Sequence, residues 1–198
     1  MQSGILYILQ SLIDLYLLAY VLRLGMNWVR SDPRNPIVQF VLKVTDPLVL
    51  PLRRFIPPIY KIDTATVIIF ILLQWAKVAI LAPLACQIAP DITAILGLAI
   101  FASLRLIASV YTGIVFAYVL LSWIGQGGQN PMLAILSNLL NKLAEPLLTP
   151  IRRYIPPIAG WDLSPIFLLI GLQALAQMLI SPAYQIAAPF ICSIMTII

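Results

Sequence analysis

Residues 46–63 read DPLVLPLRRFIPPIYKID, and residues 145–162 read EPLLTPIRRYIPPIAGWD. Ten of the 18 aligned positions are identical, among them Pro47/Pro146, Pro51/Pro150, Arg53-Arg54/Arg152-Arg153 and Pro57-Pro58/Pro156-Pro157. At the same offset Gln74 aligns with Gln173, Pro83 with Pro182 and Pro90 with Pro189. Upstream the offset shortens by four residues, about one helical turn, and Tyr16 aligns with Tyr111, Trp28 with Trp123 and Asn35-Pro36 with Asn130-Pro131. Chance does not keep that many matches in order. The chain is therefore read as two copies of one unit, residues 1–92 and 93–198.

What surrounds the doubled motif is too apolar for a soluble domain. Of 198 residues 62% are hydrophobic and 10% charged, against about 45–50% and a quarter in ordinary globular proteins. Lipid must cover the excess. The segment before each motif, about 3–29 and 98–124, exceeds the ~20 apolar residues that a bilayer core requires. A second span follows each motif, at about 64–82 and 163–181. The first residues carry no Lys or Arg and no small-residue cleavage site, so they read as a retained span and not as a signal peptide. Between the two spans of each unit, Asn-Pro opens a short helix with Asn as cap and Pro at the first helical position. These helices, 36–46 and 131–145, are expected to end where Asp46 and Glu145 meet the next proline. Each has one polar arc, with Gln39, Lys43 and Asp46 in the first and Ser137, Asn138, Asn141, Lys142 and Glu145 in the second. They are too short to cross a bilayer and are expected to lie in its interface. The expected fold is all-α and integral to the membrane. It has four transmembrane helices in two parallel-repeat hairpins, each with an interfacial amphipathic helix and a Pro/Arg-rich loop. The apolar tail, 183–198, is expected at the interface or packed on the bundle.

Nine of the twelve basic residues fall in the two segments inside the units: Arg30, Arg34, Lys43, Arg53, Arg54, Lys61, Lys142, Arg152 and Arg153. The connection between units carries none. Basic loops stay on the cytoplasmic side, which puts both loops inside, both termini outside and the two units in the same direction. The net charge of +5 is thus assigned to a membrane face and not to nucleic acid.

Four charges fall inside the spans: Asp14, Arg23, Lys77 and Arg105. Each costs ~2.5–3.5 kcal/mol at a helix centre when unpaired. Arg23 lies near the inner end and is expected to snorkel. Asp14 and Lys77 sit at similar depth, with Arg105 as the second choice of partner. Two readings stand: a structural ion pair that sets helix register, or an ion or substrate site. Gln74, Gln173 and Gln177 are expected to hydrogen-bond between helices, and Ser109, Gly113 and Ala117 form a small-residue stripe that permits close helix approach. Arg53, Arg54, Arg152 and Arg153, with Lys43 and Lys142, sit on proline-stiffened segments. Their planar donors suit phosphate, so anionic lipid or a docked partner protein is the expected ligand.

Catalysis finds little support. The chain has no His, which excludes a Ser/His/Asp set and His ligation of haem. The segment 125–128, Gly-Gln-Gly-Gly, lacks the Lys-Ser/Thr of a phosphate loop. Cys86 and Cys192 are too few for a zinc or iron–sulfur site, although two outer cysteines can pair. No enzyme activity, metal or cofactor is expected.

The doubled PLxxPxRR(F/Y)IPPI element, the Asn-Pro helix before it, and Asp-Leu-Ser-Pro at 162–165 resemble the YggT family of bacterial inner-membrane proteins. Its relatives include YlmG-type proteins and plastid factors for cytochrome complex assembly. The resemblance covers nearly the whole chain. The first unit departs from it at 63–66, which reads Asp-Thr-Ala-Thr. The resemblance implies a small non-enzymatic membrane protein, a scaffold or assembly factor, or a component of potassium uptake and hyperosmotic tolerance. Cytochrome maturation and envelope or nucleoid organisation are further associations of the family.

Overall fold

A computed structural model describes residues 2–58, 63–85, 91–124, 131–154 and 162–188. Among them the fold is all helix, with no strand: α1 Gln2–Trp28, α2 Pro36–Arg53, α3 Thr64–Ala85, α4 Ile92–Ile124, α5 Pro131–Tyr154, α6 Ser164–Met178 and α7 Ile180–Ala187. Four segments are long and apolar enough to cross a bilayer: Tyr7–Trp28, Thr64–Leu81, Ile92–Trp123 and Ser164–Ala183. Their outward faces carry exposed Leu12, Leu15, Ile71, Ile80, Ile100, Phe116, Ile166 and Ile170, an apolar exterior that requires lipid as solvent.

Three helices pack mutually in each half, α1 with α2 and α3, and α4 with α5 and α6. The halves meet where α4 packs on α1 and α3. One core runs across this seam, joining Leu17, Tyr20, Val21 and Phe70 to Val110, Ile114, Leu139 and Leu143. Gly25 marks a close approach across the seam. A Cβ there would lie 3.1 Å from both Leu143 Cδ2 and Tyr111 Oη.

The local chemistry explains the helix ends. Asn35 Oδ1 accepts from the Ile37 N–H at 2.9 Å, with Pro36 opening α2. Asp91 caps α4, accepting from Ala94 N–H at 2.9 Å and Thr93 Oγ1 at 2.8 Å; these bonds hold its carboxyl below the usual carboxylate range. After Trp28 the chain leaves α1 through a Schellman turn, Ser31 N–H to Met26 O and Arg30 N–H to Asn27 O. The turn sets Arg30 at φ 50°, a conformation that costs a non-glycine residue about 1 kcal/mol or more.

Several expected boundaries are corrected. α2 and α5 do not stop at Asp46 and Glu145. They run through Pro47 and Pro51, and through Pro146 and Pro150, to Arg53 and Tyr154. An interior proline removes one i→i−4 bond, and here the freed carbonyls belong to Lys43, Pro47, Lys142 and Pro146, all exposed. Polar surroundings can satisfy carbonyls on that face, while the opposite face of α2 buries Val38, Val41, Thr45 and Val49. The paired arginines therefore stand on helix ends, not in loops. α4 begins six residues earlier than expected, behind its Asp91 cap. The last span breaks at Leu179, because Pro182 has no N–H for the Met178 carbonyl. α7 then folds against α4, and Gly97 admits Ile186 Cδ1 to 3.0 Å from a Cβ position. Ser164 opens the first turn of α6, and its N–H donates to Asp162 Oδ1 at 3.0 Å. Residues 189–198, Asn130, Lys61, Cys86 and Cys192 lie outside the described residues.

Candidate functional site

The basic end of the first half is organised around Arg23, whose side chain is 1% exposed. Its Nη1 donates to Thr45 Oγ1 at 2.6 Å and to Asp46 Oδ1 at 2.7 Å. Thr45 is held ready by its own hydroxyl bond to the Val41 carbonyl at 2.8 Å. The Arg23 Nη2 lies 3.8 Å from Asp63 Oδ2, which also accepts from Arg53 Nη2 at 3.1 Å and Thr66 Oγ1 at 2.8 Å. Two cations and two carboxylates thus neutralise each other where α1, α2 and α3 converge. The expectation that Arg23 snorkels is wrong. Asp46 and Asp63 reach it from the two ends of the proline motif, so burial with partners replaces exposure.

The second half builds the same corner with less charge. Arg152 Nη2 lies 2.7 Å from Asp162 Oδ2, and its Nε donates to the same oxygen at 2.9 Å. A further bond runs from Arg152 Nη2 to Tyr118 Oη at 3.2 Å. Tyr118 occupies the position that aligns with Arg23. Burial pushes the Asp162 carboxyl up, but the bonds from Ser164 and Arg152 outweigh it and hold it below the usual range. For Arg152 burial works against the charge, and the bonds to Asp162 and Tyr118 raise its pKa on balance.

The two arginines of each pair therefore differ. Arg53 and Arg152 are tied to the aspartate that closes the motif, whereas Arg54 and Arg153 are exposed and make no ion pair among the described residues. Lys43 and Lys142 are also exposed. Of the six cations expected to meet a ligand, these four form no ion pair among the described residues.

Within the spans, Lys77 Nζ donates to Asp14 Oδ1 at 2.7 Å, the lysine 1% and the aspartate 27% exposed. Arg105 is half-buried and forms no ion pair among the described residues. The expected glutamine bonds between helices are absent there. Gln74 is fully buried with neither amide atom bonded, its neighbours along that face of α3 being Phe70, Val78 and Leu81; Gln173 and Gln177 are exposed. The Ser109–Gly113–Ala117 stripe does not receive a helix either. It lines an open groove of about 540 Å³ with Asp14, Leu18 and Leu22, and a Cβ on Gly113 would meet nothing within 4 Å. α1 instead meets α4 through Val110 and Ile114. Among the described residues no group of His, Cys, Asp or Glu could hold a metal ion.

Comparison with known proteins turns on the same doubled unit. The CCB3/YggT family model matches residues 2–84 and 97–183, one stretch in each half. The chain belongs to the CCB3/YggT family. Among similar proteins, an uncharacterised protein of Pseudomonas aeruginosa is 36% identical over 182 residues, covering 91% of this chain and 90% of the relative. The uncharacterised protein YggT of Escherichia coli K12 is 35% identical over 169 residues, 85% of each chain. An uncharacterised protein encoded in the proC 3' region of Vibrio alginolyticus is 34% identical over 168 residues, 84% of this chain and 88% of the relative. No solved structure matches the chain.

The Arg23 network was the feature hardest to foresee. Its signal was present in Asp46 and Asp63, the two acids that flank the basic motif. Reading α2 as ending at Asp46 hid it, because a continuous helix is needed to hold Asp46, Thr45 and Arg53 in one frame.

Proposed function

We propose that this protein is a non-enzymatic scaffold or assembly factor of a bacterial inner membrane, which presents two basic helix ends to anionic headgroups and to partner membrane proteins. In this reading each half is a hairpin, α1 with α3 and α4 with α6, and the halves share one direction. α2 and α5 lie along the cytoplasmic interface, and both chain termini face outward. The observation that carries it is the division of labour in the arginine pairs. Asp63 and Asp162 anchor one arginine of each pair and leave Arg54 and Arg153 projecting from rigid, proline-bearing helix ends. Fixed guanidinium forks suit phosphate oxygens and carboxylates, and cations at a helix C-terminus are also favoured by its dipole. Direct nucleic-acid binding is not part of this reading.

The alternative, a part in potassium uptake or osmotic tolerance, needs a free intramembrane carboxylate or a carbonyl-lined path. Asp14 instead meets Lys77, and an excess of cations lies inside the spans. Purification in mild detergent, with identification of what accompanies the protein, tests the choice. A stable complex with other membrane proteins that is lost in Arg54→Gln/Arg153→Gln is the expected result. A homo-oligomer that passes ions in liposomes would overturn it. Cysteines placed at Arg54 and Arg153 should resist an impermeant reagent added outside intact cells, and labelling of either would reverse the orientation.

A further inference from the structure

Two cavities at the seam between the halves share Trp28, Val29 and Pro146 as lining. One is apolar, about 320 Å³, and lies among α1, α4, α5 and α6 with Leu104, Ile107, Tyr111, Leu147 and Leu175 along it. The other is its polar mouth, about 580 Å³, lined by Arg30, Lys142, Glu145 and Thr149. An apolar cleft that opens between two cations at the basic end of a membrane helix has the two-part chemistry of a phospholipid. The mouth carries a net charge of +1 from Arg30, Lys142 and Glu145, which complements the single negative charge of a phosphodiester.

The backbone adds an independent argument. Arg30 is held at φ 50°, where glycine sits without strain. The aligned position in the second half is Gly125. The first half keeps an arginine where glycine is the cheaper residue, so its side chain is being used, and strain of this kind concentrates at ligand sites. The mouth of the cleft is where Arg30 lies.

We propose that this cleft holds one anionic glycerophospholipid of the surrounding bilayer, its acyl chain along α4 and its phosphate between Arg30 and Lys142. Trp28 closes the boundary between chain and headgroup, the level at which an indole is favoured. The site requires only that the chain sit in a bilayer and is separate from the projecting Arg54 and Arg153. A bound lipid there would fill the seam between the two halves and join them.

The experiment uses the full chain in mild detergent and follows its thermal unfolding during titration with palmitoyl-oleoyl phosphatidylglycerol, with native mass spectrometry to count bound lipid. Wild-type protein should be stabilised in a saturable manner at one lipid per chain. Arg30→Gly, which relaxes the backbone, should fold at least as well as wild type yet bind about 10-fold more weakly, as for loss of one charge-assisted contact. Lys142→Gln should do likewise, and Ile107→Trp, which fills the cleft, should abolish the one-lipid stoichiometry. Arg54→Gln/Arg153→Gln should leave it unchanged. Equal affinity in wild type and Arg30→Gly would overturn the proposal. So would equal protection by phosphate-free diacylglycerol, by water-soluble glycerol phosphate or by phosphatidylethanolamine. Loss of the lipid only in the Arg54/Arg153 variant would place it at the helix ends instead, sinking the cleft while favouring the scaffold.

Discussion

The two halves share a proline frame and the charges along it, but not the charges buried within the spans. Where the first has Asp14, Arg23, Thr45 and Lys77, the aligned positions of the second are Ser109, Tyr118, Ala144 and Ala176. Among the described residues, the ion pair that both halves form is the Arg–Asp pair that closes the motif, Arg53–Asp63 and Arg152–Asp162. In the first half that pair is part of a network around a guanidinium with 1% exposure; in the second, its members are 39% and 31% exposed. The comparison teaches that the closing pair is common to both halves and that, among the described residues, the buried charges belong to the first half. Each buried charge arrives with a partner: Arg23 with Asp46 and Asp63, Lys77 with Asp14. Where the second half has Tyr118 in place of the cation, the aligned anion Glu145 is exposed.

This difference can be broken experimentally. Asp63→Asn removes an acceptor from two arginines and leaves Arg23 buried with less compensation; it should destabilise the protein by ~3–5 kcal/mol. Asp162→Asn, in the same frame but half-exposed, should cost below about 1 kcal/mol. Thermal unfolding of both variants in one detergent is the direct test, and equal losses would show that the halves do not differ in this way. Next in size, Asp14→Asn and Lys77→Gln should each destabilise, while the double variant should lose less than their sum by ~1–3 kcal/mol. Strict additivity would make the 2.7 Å contact energetically idle and return Asp14 to the ion-site reading.

Tyr118→Phe sharpens the comparison on a smaller scale. It deletes the hydroxyl of the tyrosine that stands at the Arg23 position and should cost ~0.5–1.5 kcal/mol through the lost bond to Arg152; no change would mean that Asp162 alone holds Arg152. The smallest effect is one of pH. The Asp162 carboxyl is held below its ordinary range, so its contribution is present above the unfolded value of about 3.9 and is lost as pH falls through the folded value. In acid the unfolding midpoint of wild type should therefore approach that of Asp162→Asn. A constant gap between them down to about pH 2 would contradict the pairing.

The doubled motif and the unbroken apolar runs made the helical, four-span character of the chain legible, because lipid leaves few alternatives for an apolar backbone. Asp14 and Lys77 were legible as neighbours, since helix rise converts sequence distance into depth. The ends of α2 and α5 were not. Proline is read locally as a stop, yet spacing of four put Pro47 with Pro51 and Pro146 with Pro150 on the exposed face of each helix, where polar surroundings can satisfy the freed carbonyls. The fate of Gln74 and of the small-residue stripe was equally hidden, because periodicity states which residues share a face and not what that face meets.

What the sequence by itself determined is the repeat, the apolar spans and the clustering of positive charge, all properties of composition and order along one chain. Tertiary structure alone decided that Arg23 is buried and not snorkelled, that Arg53 and Arg152 are tied while Arg54 and Arg153 stand free, and that Arg30 and Lys142 share a cleft. Those outcomes depend on where three or four separate helices converge. The energy of a charge is set by the partners and solvent around it, and no single segment carries that information.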